Sequence, residues 1–120
     1  MNNRIILIEN DPAHVELIKY ILSDDGFEVF DSDPLSLFEA INKIDPFLIL
    51  MDRWLDNDSG AEICKELKEN TTMQNIPVIL ISASIGLEQI AQECHADGYI
   101  EKPFDIDVFI KVVKDFVKRV

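Results

Sequence analysis

"RIILIENDP", residues 4–12, is an apolar run that gives way at once to acids and then a proline. Ile5 to Ile8 show no alternation with polar residues, so the run reads as a strand buried on both faces, as in a parallel sheet covered by helices. "FLILM" (47–51) and "PVILIS" (77–82) have the same character. "FEVF" (27–30) is more mixed and suits an edge strand, and "GYI" (98–100) supplies a fifth. Helical periodicity fills the gaps. Val15, Ile18, Ile21 and Leu22 share a face in 12–25, and Leu37, Phe38 and Ile41 in 34–44. Ile63, Cys64 and Leu67 do so in 59–69, and Leu87, Ile90, Ala91 and Cys94 in 86–95. Val108, Phe109, Val112, Val113 and Phe116 follow in 105–118, where Asp105 suits a helix cap. Strands alternating with helices imply right-handed parallel crossovers and a doubly wound α/β sheet of five strands, with order 2-1-3-4-5 one of two common choices. "DRWLDNDSG" and "NTTMQNIP" read as loops.

The chain has 120 residues, which suits a single domain over 1–120, and 48% hydrophobic residues, enough for a core at that size. The net charge of −12, from 23 acids against 11 bases, opposes direct nucleic acid binding and adhesion to anionic membranes. No apolar stretch approaches a bilayer span, and the N-terminus lacks a signal-peptide pattern, so a cytoplasmic location is expected. Cys64 and Cys94 sit in helical patterns without metal-ligand spacing and read as buried thiols. His14 and His95 lie on helical segments and read as structural or exposed.

In such a sheet, ligands bind outside the carboxyl ends of the strands, near the switch in strand order. Glu9, Asn10 and Asp11 follow strand one, Asp52 ends strand three, Ser82 ends strand four, and Lys102 follows strand five. Carboxylates gathered at one edge repel unless a cation sits among them, and a hard dication with oxygen ligands, above all Mg²⁺, is the natural partner. A flavin or nucleotide site would want a phosphate-cradling glycine turn after strand one. The chain has "ENDP" there instead, which would repel phosphate.

Five fragments occur in order: "IEND", "LILMD", a glycine at position 60 in "DRWLDNDSG", "ILISA", and "GYIEKPF". With these the chain resembles the receiver domains of bacterial two-component response regulators over essentially its whole length. The resemblance implies a flavodoxin-like fold and a regulatory, non-enzymatic role with at most self-catalysed phosphoryl transfer and autodephosphorylation. Asp52 would be the phosphoacceptor, charged by a histidine kinase or phosphotransfer protein. Mg²⁺ would be held by Glu9, Asn10, Asp52 and the backbone carbonyl of Trp54. Ser82 would turn to the new phosphoryl group, Lys102 would neutralise it, and Tyr99 would report the state by rotating. Pro103 matches a proline that often follows a cis peptide bond. The output would be a change in the face formed by helix four, strand five and helix five, read by an effector protein or domain.

Two positions depart from the family. Asn10 stands where a second acid is usual, so a weakly bound metal is expected, and Asp11 sits one position too far along to replace it directly. Asp56 stands where proline is usual, and the "DND" run (56–58) reads as a solvated loop or helix cap. Arg53 is expected to point away from the site. Asn10 also keeps open an alternative, a degenerate receiver that binds a partner without phosphorylation. The chain is either a stand-alone receiver or one cut from a longer protein.

Overall fold

The computed structural model describes residues 2–55 and 58–117. The elements run β1 (Arg4–Ile8), α1 (Pro12–Asp24), β2 (Glu28–Asp31), α2 (Leu37–Ile44, entered through a 3₁₀ turn at Pro34–Ser36) and β3 (Leu48–Asp52). There follow the short β4 (Trp54–Leu55) and β5 (Asp58–Ser59), then α3 (Gly60–Glu69), β6 (Val78–Ser82), α4 (Leu87–Glu93), β7 (Gly98–Glu101) and α5 (Ile106–Lys114). The main sheet is parallel, with order β2-β1-β3-β6-β7, which is 2-1-3-4-5 when its own strands are counted. Asp56 and Asn57, two residues of the "DND" run, lie outside the described residues.

β3 and β6 are buried at every position and β1 at all but its first, as their unbroken apolar runs require. Alternate residues feed two separate cores. Ile6, Ile8, Ile49, Met51, Val78 and Leu80 join Leu37, Ile63, Leu67, Leu87 and Ala91, beneath α2, α3 and α4. Ile5, Leu7, Leu48, Leu50, Ile79 and Ile81 join Ile18, Ile21, Leu22, Phe109 and Val113, beneath α1 and α5. One expected core residue fails: Val108 on α5 is 56% exposed, so the buried stripe of that helix runs through Phe109 and Val113 instead. The expected cap of α5 is present, with the Asp105 carboxylate accepting from the Asp107 and Val108 amides.

The stretch after β3 is more ordered than its loop-like composition suggests. Trp54 pairs with Ser59, and Leu55 with Asp58, in a small antiparallel hairpin. Gly60 closes it: its amide donates to the Arg53 carbonyl at 2.7 Å, and a Cβ there would lie 2.1 Å from the Asp52 carbonyl oxygen. Only glycine permits that approach between α3 and the end of β3.

Candidate functional site

Register and parity place the charged residues. Ile8 sits opposite Met51, so the next step along each strand brings Glu9 beside Asp52. Glu9 continues the face of Ile5 and Leu7, Asp52 that of Leu48 and Leu50, and Lys102 that of Ile100, all directed toward α1 and α5. Ser82 continues the opposite face, that of Val78 and Leu80, and Tyr99 packs against the same α3–α4 core. The carboxylates and the lysine therefore meet on one side of the sheet edge, and the hydroxyl and the tyrosine stand on the other.

Lys102 Nζ donates to Glu9 Oε1 and to Asp52 Oδ2, each at 2.9 Å. Its third neighbour is His14 Nδ1 on α1, at 3.1 Å. The same His14 Nδ1 lies 3.3 Å from Glu9 Oε1 and 3.7 Å from Asp11 Oδ2, so the imidazole stands against the carboxylates as well as the ammonium. Burial alone would pull the Lys102 ammonium pKa down; the hydrogen bonds and charges of Glu9 and Asp52 outweigh it and hold it above its ordinary value. Burial pushes the Glu9 carboxyl up, and the neighbouring Asp52 adds to that push. The Glu9 side chain is 2% exposed, so its charge has almost no direct solvation.

His14 is a site residue that the sequence reading misses. Its helical position gives no hint, because its partner lies 88 residues away, just beyond β7. Asp11 is accounted for differently: it caps α1, accepting from the Ala13 amide at 2.9 Å, with Pro12 opening the helix. Asn10 is exposed beside Glu9, and its backbone N–H donates to Glu9 Oε2 at 3.1 Å. His95 is exposed and ends α4 in the left-handed region, at φ 63°.

Asp52 Oδ1 accepts from the Trp54 amide at 2.9 Å, which fixes the carboxylate against the hairpin. Arg53 links the hairpin to the main sheet: its carbonyl accepts from the Gly60 amide at 2.7 Å, and its own amide donates to the Ile81 carbonyl of β6 at 3.1 Å. Arg53 lies over the Trp54 ring, 4.2 Å from its centroid, rather than free in solvent. The Trp54 indole donates to Ser84 Oγ at 3.0 Å, and Ser84 Oγ lies 2.7 Å from Ser82 Oγ. Ser82 is 2% exposed. Tyr99 is half-buried, and the Glu88 carboxylate on α4 is the main cause of its raised phenol pKa, with burial and Glu101 adding to it. The Lys102–Pro103 peptide is cis. Cys64 and Cys94 are free, buried thiols, and burial pushes Cys64 well above the ordinary thiol range.

The carboxyl edge of a doubly wound sheet of order 2-1-3-4-5 thus holds an acid at the end of its third strand hydrogen-bonded to a lysine beyond its fifth, the arrangement that the resemblance to receiver domains implies. Residues 5–114 match the family described as the response regulator receiver domain, and the chain belongs to it. It is 29% identical to the phosphate regulon transcriptional regulatory protein PhoB of Escherichia coli, over all of this chain and 54% of that protein. The chain therefore spans about half the length of this relative. Among solved structures, it resembles the signal receiver domain of a signal transduction histidine kinase from Syntrophus aciditrophicus. That match has TM-score 0.88 and 28% identity, covering 98% of this chain and 94% of the other. The receiver domain of a Pseudomonas aeruginosa sensor histidine kinase, described with a magnesium ion coordinated in its active-site cleft, has the same fold. Its TM-score is 0.85 at 20% identity, covering 97% of this chain and 98% of that one. Among the described residues, no helix is long and apolar enough to cross a membrane.

Proposed function

We propose that this chain is a phosphorylation-dependent signalling switch, with Asp52 accepting a phosphoryl group from a histidine kinase or phosphotransfer protein. The observation that carries the reading is the sharing of one ammonium, Lys102, between two largely buried carboxylates at the carboxyl edge of the sheet. Such a cleft has an excess of negative charge that a divalent cation would balance. The donor set is all hard oxygen, as Mg²⁺ prefers: Glu9 and Asp52 carboxylates, the Asn10 amide and the Trp54 carbonyl would hold it. When bound, the ion would draw charge from the phosphoryl oxygens.

The remaining work falls to the chain. Asp52 Oδ attacks phosphorus while the bond to the donor's nitrogen or oxygen breaks, and the leaving group departs with that electron pair. Lys102 keeps its hold on Glu9 and His14 as it turns from the carboxylate oxygen to a phosphoryl oxygen. Ser82 donates its hydroxyl proton to another. Tyr99, on the same face as Ser82, follows the change, so the surface of α4, β7 and α5 is the output that an effector reads. The acidic surface suits a protein partner in the cytoplasm and opposes contact with nucleic acid or anionic membrane. Asn10 favours a second reading, a phosphorylation-independent interaction module, because a neutral ligand weakens the metal site.

Incubation with acetyl phosphate and Mg²⁺ separates the two. A labile adduct of one phosphoryl group, seen by mass spectrometry and lost in Asp52→Asn, is expected. Its absence in the unaltered protein would favour the second reading, and its persistence in Asp52→Asn would remove Asp52 as the acceptor.

A further inference from the structure

Ser82 Oγ is met twice by a single residue. The Ser84 amide donates to it at 3.1 Å, and Ser84 Oγ lies 2.7 Å away, a contact in which either hydroxyl can donate. Ser84 Oγ in turn accepts from Trp54 Nε1 at 3.0 Å, and an indole nitrogen only donates. A hydroxyl has one hydrogen and two acceptor positions. Two arrangements of hydrogens therefore fit the same heavy atoms. In one, Ser82 donates to Ser84, whose oxygen then receives two donors, and Ser82 has no hydrogen to offer. In the other, Ser84 donates to Ser82. Both acceptor positions of Ser82 are then filled, and its single hydrogen is turned outward.

We propose that Ser84 is a positioning residue that sets the hydrogen of Ser82 and carries the state of the site to Trp54. The driving event rests on the phosphoacceptor reading of Asp52. A phosphoryl oxygen needs the Ser82 hydrogen, so its arrival selects the second arrangement. The chain then runs in one direction, Trp54 N–H to Ser84 O–H to Ser82 O–H to phosphoryl oxygen. Bonds in such a one-way chain strengthen one another, whereas two donors crowding Ser84 Oγ weaken each other. The change of direction requires only the turning of two hydroxyl hydrogens. Its end point is a side chain 58% exposed, where a partner can sense it.

Trp54 is the chain's one tryptophan, so its indole N–H gives a single signal in proton–nitrogen NMR spectra. In the unphosphorylated protein, Ser82→Ala should move that signal, although Ser82 is a full residue away from the indole. In a Ser84→Ala background the same change should move it no further. Acetyl phosphate with Mg²⁺, its adduct followed by mass, should shift the indole proton downfield in the unaltered protein. The shift should be retained in Ser84→Thr, which keeps the hydroxyl, and lost in Ser84→Ala. An indole signal indifferent to Ser82→Ala would overturn the relay, as would an adduct that forms without the downfield shift. If no adduct forms, the phosphoacceptor reading fails, and the Ser82→Ala comparison still decides the relay.

Discussion

At the carboxyl ends of β1 and β3, Lys102 serves Glu9 and Asp52 together; at the carboxyl end of β2, Lys19 serves Asp31 alone. The first group is buried and carries two negative charges against one positive. The second is balanced and half open to water, with side-chain exposures of 39% for Lys19 and 52% for Asp31. The acids respond in opposite directions. Burial raises the Glu9 carboxyl, with Asp52 reinforcing it, while the hydrogen bond from Lys19 leads in lowering Asp31. A balanced pair at the surface is at rest. An unbalanced one in a cleft is under electrostatic load, and that load is what makes it receptive to a further cation.

The contrast is broken most forcefully by removing each lysine. Lys102→Met leaves two buried carboxylates facing each other and should lower metal-free stability at neutral pH by about 3–5 kcal/mol, the usual consequence of orphaning buried charge. Lys19→Met should cost under about 1 kcal/mol, as exposed pairs do. Urea unfolding midpoints measure both. Added Mg²⁺ should restore part of the loss in Lys102→Met and none in Lys19→Met. Equal losses in the two variants would erase the distinction.

Acid titration of stability, in chelator, should show opposite slopes. Glu9 has its pKa raised on folding, so the folded state holds its proton more tightly. Its contribution is fully present below the ordinary value of 4.5 and is lost as pH rises through the raised one. Asp31 is lowered, so its contribution is present above 3.8 and is lost as pH falls through the depressed value. Glu9→Gln should remove the decline above pH 4.5, and Asp31→Asn the loss below 3.8. Saturating Mg²⁺ should flatten only the Glu9 slope.

A finer test adjusts the load by one charge. Asn10→Asp should tighten Mg²⁺ and raise the initial rate of phosphorylation at low Mg²⁺, because an anionic ligand replaces a neutral one. It should also slightly destabilise the metal-free protein. Trp54 fluorescence reads the Mg²⁺ midpoint. No change in midpoint or rate would remove Asn10 from the ligand set.

The sheet was legible because β1, β3 and β6 are continuous apolar runs, buried on both faces along nearly their whole length. The edge strand was read one residue early, at 27–30 rather than Glu28–Asp31, since a half-exposed strand has a weaker pattern. Glu9, Asp52 and Lys102 could be brought together from sequence because each stands at or just beyond the carboxyl end of a recognisable strand. His14 could not, since its contact with Lys102 joins a helix to a segment 88 residues away. The hairpin of Trp54 and Ser59 was also hidden: its two-residue strands are too short to show a period. The Trp54–Ser84–Ser82 chain depends in turn on that hairpin.

Gly60 bears on all of this as a matter of mechanical tolerance. The gap between the first turn of α3 and the peptide of Asp52 is a caliper setting, held open by the lack of one carbon. Widening it would lift the Asp52 backbone and swing its carboxylate off Lys102, with every charged group of the site still in the sequence. The smallest possible side-chain addition, eight residues downstream of the acid, would thus act on the site as a change of alignment rather than of chemistry.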